Sequence, residues 1–161
     1  MLKAVKRTKL QARNEHFAIV ASEYNARYVD AMLRAAKAEL KKAGALCEVV
    51  RVPGAYEIPV VAASMARSLT PRYAGVICLG VILRGATTHA EHIGVAVSHA
   101  LAMIQVQTGV PVIHEVLLLE SEQQARERCL GMKHNRGAEA AQTALKMARV
   151  MRGLRGVMRD A

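Results

Sequence analysis

The sequence has very few aromatic residues, with no tryptophan, one phenylalanine and four tyrosines among 161 residues. Apolar residues still make up 52% of the chain, so its core must be built from aliphatic side chains. Charged residues make up 22%, and this balance excludes a mainly disordered chain. The length is that of one domain.

Cysteines are also scarce, and the three present, Cys47, Cys78 and Cys129, are far apart and form no C-x-x-C motif. This pattern argues against a disulfide framework or a thiolate zinc site and favours a cytoplasmic protein. Cys47 and Cys78 stand in apolar runs, so we expect both in the core. No apolar run approaches the roughly 20 residues that span a bilayer, and no secretory signal pattern is recognised at the N-terminus.

The formal net charge is +10, and most of it lies near the two ends of the chain. Residues 1–15 hold five basic residues and one acidic residue, and so do residues 146–161. The body over 16–145 is nearly neutral, and we expect a basic N-terminal segment over 1–15, a domain over 16–152 and a basic tail over 153–161. The basic ends alone would suggest a nucleic-acid partner, but no recognition motif or aromatic stacking surface accompanies them.

Short aliphatic runs alternate with amphipathic stretches along the chain. This order predicts an α/β fold with a four-stranded parallel sheet covered by helices on both faces. We expect strands over 16–22, 46–52, 73–81 and 110–119, and helices over about 28–43, 57–68, 90–108, 121–130 and 138–151. Ser121 and Gln124 form a capping-box pattern at the start of the fourth helix.

Ligands of such folds bind beyond the carboxyl ends of the strands, which directs attention to the segments that follow each strand. Tyr24 and Asn25 follow the first strand; Asn25 could cap a helix, or the pair could offer an aromatic plate and an amide to a ligand. After the second strand, Glu57 could interact with a helix dipole or accept hydrogen bonds from a polyol, with the small Ala55 allowing close approach.

The segment after the third strand is the richest in possible chemistry. Gly85, Ala86 and Thr87 precede a helix, where backbone N–H groups could hold a phosphate. His89 at the helix entrance could move protons near neutral pH. A metal site is not expected, because the spacing of the nearby His92 and His99 matches no common ligand motif.

Three basic residues, Arg128, Lys133 and Arg136, flank the polar break before the last helix. They could form a solvated face, or they could bind phosphate at a site built by another segment or subunit.

Three motifs together carry a family resemblance. They are P-G-A-Y-E-I-P at 53–59, G-V-I-L-R-G-A-T-T-H at 80–89, and R-x(7)-R-G followed by A-E-A-A over 128–141. At this spacing the chain resembles the lumazine synthases, over roughly residues 16–152. The resemblance implies a flavodoxin-like three-layer sandwich, assembly at least to pentamers, and active sites between neighbouring subunits.

The resemblance also implies a reaction. 5-Amino-6-ribitylamino-pyrimidinedione would condense with 3,4-dihydroxy-2-butanone 4-phosphate to give 6,7-dimethyl-8-ribityllumazine, phosphate and water, without a cofactor. His89 would transfer protons, and Arg128 would bind the phosphate from across the subunit interface. Further substrate-binding positions implied by the resemblance are Tyr24 for pyrimidine stacking, Asn25, Ala55, Tyr56 and Glu57 for the ribityl chain, the backbone of Val81, Ile82 and Leu83 for the pyrimidine edge, and Ala86 and Thr87 for the phosphate.

The chain departs from the family pattern at three places. His114-Glu115 stands where the family usually has Phe-Gly, and His114 would replace the Phe as a wall against the pyrimidine of the next subunit. Arg136 replaces a usual Lys at a further substrate-binding position. The basic segment 1–15 replaces an apolar N-terminal strand. These departures leave open an alternative function, a non-catalytic paralogue that binds a lumazine or flavin.

Overall fold

The computed structural model describes residues 10–131 and 134–157. A four-stranded parallel sheet forms its centre, with the strand order β2-β1-β3-β4. The strands are β1 (His16–Ser22), β2 (Leu46–Val52), β3 (Tyr73–Leu83) and β4 (Val112–Leu119). The predicted α/β architecture is therefore confirmed, and this strand order is that of flavodoxin-like folds.

Helices cover both faces of the sheet. They are α1 (Ala26–Lys42), α2 (Ile58–Arg67), α3 (His89–Thr108), α4 (Glu122–Ala125) and α5 (Arg136–Val157). A 3-10 turn over Ala55–Glu57 precedes α2, and a π-helical segment over Arg126–Leu130 follows α4. Helices α1 and α5 pack on one face of the sheet and α2 and α3 on the other.

Because both faces are covered, the central strands β1 and β3 are buried on both sides. Along β1, Phe17 and Ile19 face α1 and α5, whereas Ala18 and Val20 face α2 and α3. The single phenylalanine thus lies in an otherwise aliphatic core, as the composition predicts. Cys78 is fully buried as expected, but Cys47 is half-buried at the margin of the core.

Several element ends differ from the prediction. Strand β3 continues through Ile82 and Leu83, which were expected in a loop, because β4 runs beside it as far as Leu119. Strand β4 begins at Val112, two residues later than expected. Helix α1 begins two residues early, directly after Asn25, which adopts a left-handed backbone conformation.

Helix α5 begins at Arg136 and continues to Val157, past the predicted boundary at 152/153. Of the basic segment 1–15 and the basic tail 153–161 predicted from the sequence, residues 1–9 and 158–161 lie outside the described residues. Within 10–131 and 134–157, no helix has both the length and the apolarity that crossing a membrane requires.

Candidate active site

A cavity of about 520 Å³ opens at the carboxyl ends of the strands. Residues from three of the segments predicted to carry a site line it together. They are Tyr24, Gly54, Ala55, Tyr56, Glu57, His89, His92 and Ile93. Since parallel strands end at the same edge of a sheet, segments far apart in sequence meet here.

The segment after β1 forms one wall of the cavity. The Tyr24 side chain is 71% exposed, so its ring is available to a ligand, while its backbone N–H donates to Pro53 O at 3.0 Å. Asn25 occupies the N-cap position of α1, but its side chain makes no capping bond, contrary to that interpretation. Its Nδ2 instead donates to Val81 O at 2.7 Å and ties the end of β1 to β3.

The turn between β2 and α2 forms a second wall. Gly54 N donates to Glu57 Oε2 at 2.9 Å, which orients the exposed Glu57 carboxylate at the start of the helical segment. Tyr56 is exposed and Ala55 is nearly buried. A Cβ built on Gly54 would lie 2.8 Å from Glu57 Oε2 and 3.1 Å from the Tyr24 ring, so glycine is what permits this close approach.

The loop between β3 and α3 and the start of α3 form the third wall. Ala86 and Thr87 are exposed in this loop, and His89 is the first residue of α3. The Thr88 side chain makes no cap hydrogen bond, so the first N–H groups of α3 are left for an anion. Arg84 at the base of the loop is held by Glu91 and by Glu120, the latter at 3.0 Å.

Val81, Ile82 and Leu83 lie in β3 beside this cavity without lining it. Val81 and Ile82 are buried and Leu83 is half-buried. Val81 O already accepts the hydrogen bond from Asn25.

The remaining predicted residues lie elsewhere on the chain. His114 is exposed on β4, with Nε2 2.8 Å from Ser98 Oγ. Arg128 is exposed on the π-helical segment, and Arg136 begins α5. None of the three lines the cavity. Lys133 lies outside the described residues.

Arg136 is held by two carboxylates. Its Nε donates to Glu115 Oε1 at 2.6 Å and its Nη1 to Glu139 Oε2 at 2.8 Å. Glu115 is buried on β4, and this burial raises its pKa to about 7, while Arg136 opposes the rise.

Sequence reasoning missed some contributors to the cavity. His92 and Ile93 line it, although His92 was considered only as a metal ligand. Their positions three and four residues after His89 on a helix would have indicated a shared face. Among the residues that the structure describes, no cluster of three or more His, Cys, Asp or Glu side chains could hold a metal ion.

Comparison with known proteins gives a consistent result. Residues 14–152 match the family model described as 6,7-dimethyl-8-ribityllumazine synthase. A protein of that name from Desulfotalea psychrophila is 40% identical over 148 residues, covering 90% of this chain and 94% of the relative. Proteins of the same name from Xanthomonas oryzae and Xylella fastidiosa are each 39% identical, covering 88% and 90% of this chain and 93% and 95% of the relatives.

Proposed function

Because the chain belongs to the 6,7-dimethyl-8-ribityllumazine synthase family, we propose that the cavity at the strand ends is where it binds both substrates. The chain is a transferase of riboflavin biosynthesis. It condenses 5-amino-6-ribitylamino-pyrimidinedione with 3,4-dihydroxy-2-butanone 4-phosphate to 6,7-dimethyl-8-ribityllumazine, phosphate and water. The observation that supports this site most strongly is the convergence of Tyr24, Glu57 and His89 on one cavity.

The pyrimidinedione is proposed to lie against the first two walls. Tyr24 offers an exposed ring for stacking, and the carboxylate of Glu57 can accept hydrogen bonds from the ribityl hydroxyls. Ala55 and Tyr56 flank this chain, and the backbone of residues 81–83 faces the pyrimidine edge. Asn25, bonded to Val81 O, contributes to the ribityl site next to that backbone.

The butanone phosphate is proposed to bind at the third wall. Backbone N–H groups around Ala86 and Thr87, together with the positive end of the α3 dipole, suit a phosphate dianion. Arg128 and His114 are absent from the cavity of one chain, so we propose that a neighbouring subunit supplies them. Arg128 would then neutralise the phosphate, and the His114 ring would pack against the pyrimidine.

The chemistry consists mainly of proton transfers. The amine attacks the ketone, and the resulting carbinolamine loses water to give an imine. Elimination of phosphate leaves an enol that tautomerises, and ring closure releases a second water. His89, exposed at the cavity wall, can exchange these protons, while Arg128 stabilises the departing phosphate. Holding the two substrates together supplies much of the remaining rate.

We propose that the chain forms pentamers, or multiples of pentamers, with active sites between subunits. Helix α3 and the edge strand β4 present exposed apolar side chains, and such patches mark protein contacts. They are Val95, Met103, Val106 and Leu118. The three cysteines are free, which fits the reducing cytoplasm as the proposed location.

Two variants test the proposed site. His89→Ala should lower kcat for lumazine formation by about 100-fold, because general acid–base catalysis contributes at least that much. Arg128→Ala should raise KM for the butanone phosphate by about tenfold or more, because a charge-assisted contact is lost. Both constants are measured by the absorbance of the lumazine formed.

Asp30→Asn serves as a control, since Asp30 pairs with Arg51 at the β2 edge of the sheet, away from β3 and β4. Wild-type kinetics in both site variants would reject the site. If the purified wild-type protein binds lumazine but forms none, the non-catalytic alternative is supported.

A further inference from the structure

We infer that the ion pair Glu115–Arg136 is a positioning device for Arg128, and that Arg136 acts on the phosphate site through Arg128 instead of touching substrate. The inference rests on the proposed phosphate-binding role of Arg128.

Arg136 is committed within its own chain. Its Nε donates to Glu115 at 2.6 Å and its Nη1 to Glu139 at 2.8 Å, and only 26% of its side chain is exposed. The Glu115 side chain is 6% exposed. A guanidinium that already has two carboxylate partners has its charge neutralised locally, so its attraction for a phosphate is weak.

The charge of Arg128 also acts on the Glu115 carboxylate, although less strongly than that of Arg136. Arg128 and Arg136 both favour the ionised form of Glu115, so the carboxylate lies within the field of each guanidinium. Glu115 also belongs to β4, a strand fixed along its length by pairing with β3. Its ion pair with Arg136 therefore fixes the start of α5 to the sheet.

Asn135 connects the two arginines, because it precedes Arg136 in the chain and its side chain bonds to the residue after Arg128. Its buried side chain donates from Nδ2 to Cys129 O at 2.5 Å, next to Arg128. Its Oδ1 accepts from Gly137 N at 2.9 Å, so Asn135 caps the start of α5. A shift of Arg136 away from Glu115 would move this cap, and the cap would transmit the movement to the backbone beside Arg128.

The two sequence departures on this side of the sheet are thus in contact with each other. Glu115 stands where a Gly is usual, and Arg136 stands where a Lys is usual. Arg can donate to two carboxylates in fixed directions, whereas Lys presents a single charged point. The Arg at 136 is therefore matched to the Glu at 115, and we expect the two to be functionally coupled.

The experiment is a double-mutant cycle on KM for the butanone phosphate, with the variants Glu115→Gln, Arg136→Gln and Arg128→Gln alone and in pairs. We expect Glu115→Gln and Arg136→Gln each to raise this KM about fivefold, a size typical of coupled neighbours. KM for the pyrimidinedione should change less than twofold. In the Arg128→Gln background, neither substitution should raise the KM for the phosphate further.

The outcomes separate this inference from the proposed function. If Arg128→Gln leaves the KM for the phosphate unchanged, the proposed role of Arg128 is wrong. If Arg128→Gln raises it but the effect of Arg136→Gln is fully retained in that background, Arg136 contacts substrate directly and the positioning role is rejected. An unchanged KM in Glu115→Gln also rejects it.

Two further proteins guard against a general loss of folding. Glu115→Gln/Arg136→Gln removes both charges, so neither is left buried and unpaired, and it should fold while showing the same fivefold effect. Arg136→Lys keeps the charge but loses the fixed geometry that donates to two carboxylates. Its KM for the phosphate should lie between the values of wild type and Arg136→Gln. Asp30→Asn breaks an ion pair of equal length at the opposite edge of the sheet and should leave the KM for the phosphate unchanged.

Discussion

At the scale of single residues, the proposed pyrimidine site depends on the absence of a Cβ atom at Gly54. The space where its Cβ would lie is bordered by Glu57 Oε2 at 2.8 Å and by the Tyr24 ring at 3.1 Å. Gly54 has an extended backbone that any residue can adopt, so the requirement for glycine here is purely steric. Two ligand-facing side chains are thereby held close to one backbone N–H.

Gly54→Ala should raise KM for the pyrimidinedione about tenfold, because the new methyl displaces the Glu57 carboxylate from its 2.9 Å bond to the backbone N–H. KM for the butanone phosphate should change little. Steady-state kinetics with each substrate varied in turn measure both values. An equal rise in both constants would contradict the separate walls proposed for the two substrates.

The meeting of Tyr24, Glu57 and His89 could be predicted from the sequence, because all three follow strands of one parallel sheet. The bond from Asn25 to Val81 could not, since it joins residues 56 positions apart and a capping role fits the local sequence equally well. The pairing of Arg136 with Glu115 was hidden for the same reason. Local patterns show which residue types are present, whereas packing decides which of them touch.

At the scale of elements, helices α1 and α5 approach so closely that their backbones nearly touch. A Cβ built on Gly137, at the start of α5, would lie 2.0 Å from Met32 O on α1. No side-chain rotation relieves an overlap with backbone, so the helices would have to separate. The sequence predicted both helices but not this crossing, and it placed the start of α5 at 138 instead of Arg136.

Gly137→Ala should lower the free energy of unfolding by about 3 kcal/mol or more, the upper range for overpacking a core. Gly153→Ala, in the same helix but with open space around its Cβ, should raise it by up to about 1 kcal/mol through helix propensity. Urea denaturation followed by circular dichroism compares the two. Equal stabilities would show that the helices can move apart without cost.

At the scale of the whole molecule, one side of the chain exposes apolar residues that a partner could cover. The exposed apolar residues of α3 and β4 lie on the side that carries His114, whereas Arg128 and His114 are missing from the chain's own cavity. A neighbouring copy that covers the first group could supply the second. The proposed assembly would account for the presence of only part of the implied site on one chain.

Replacing Met103 and Val106 together by Glu should dissociate the assembly, since Val106 is 77% exposed and charge cannot be buried there without a partner. Light scattering should show a monomer-sized species in place of pentamers, with lumazine formation lost. Val150→Glu/Leu154→Glu, which adds the same charge at two exposed positions of α5 in the opposite layer, should retain the wild-type mass. A wild-type mass in the double variant would place the interface elsewhere.

Helix α5 runs from the proposed active-site side of the sheet to the opposite side, where the ends of the described chain lie. The helix starts beside the Arg128-bearing segment and returns across the sheet, so that Arg152 pairs with Glu15 just before β1 begins. Both ends of the described chain border a shallow basic hollow, lined by His16, Arg72 and Arg155 among others, at the amino edge of the sheet. The described residues that line this hollow therefore lie at the pole opposite the substrate entrance, so a chemical label attached at Arg155 should leave turnover unchanged.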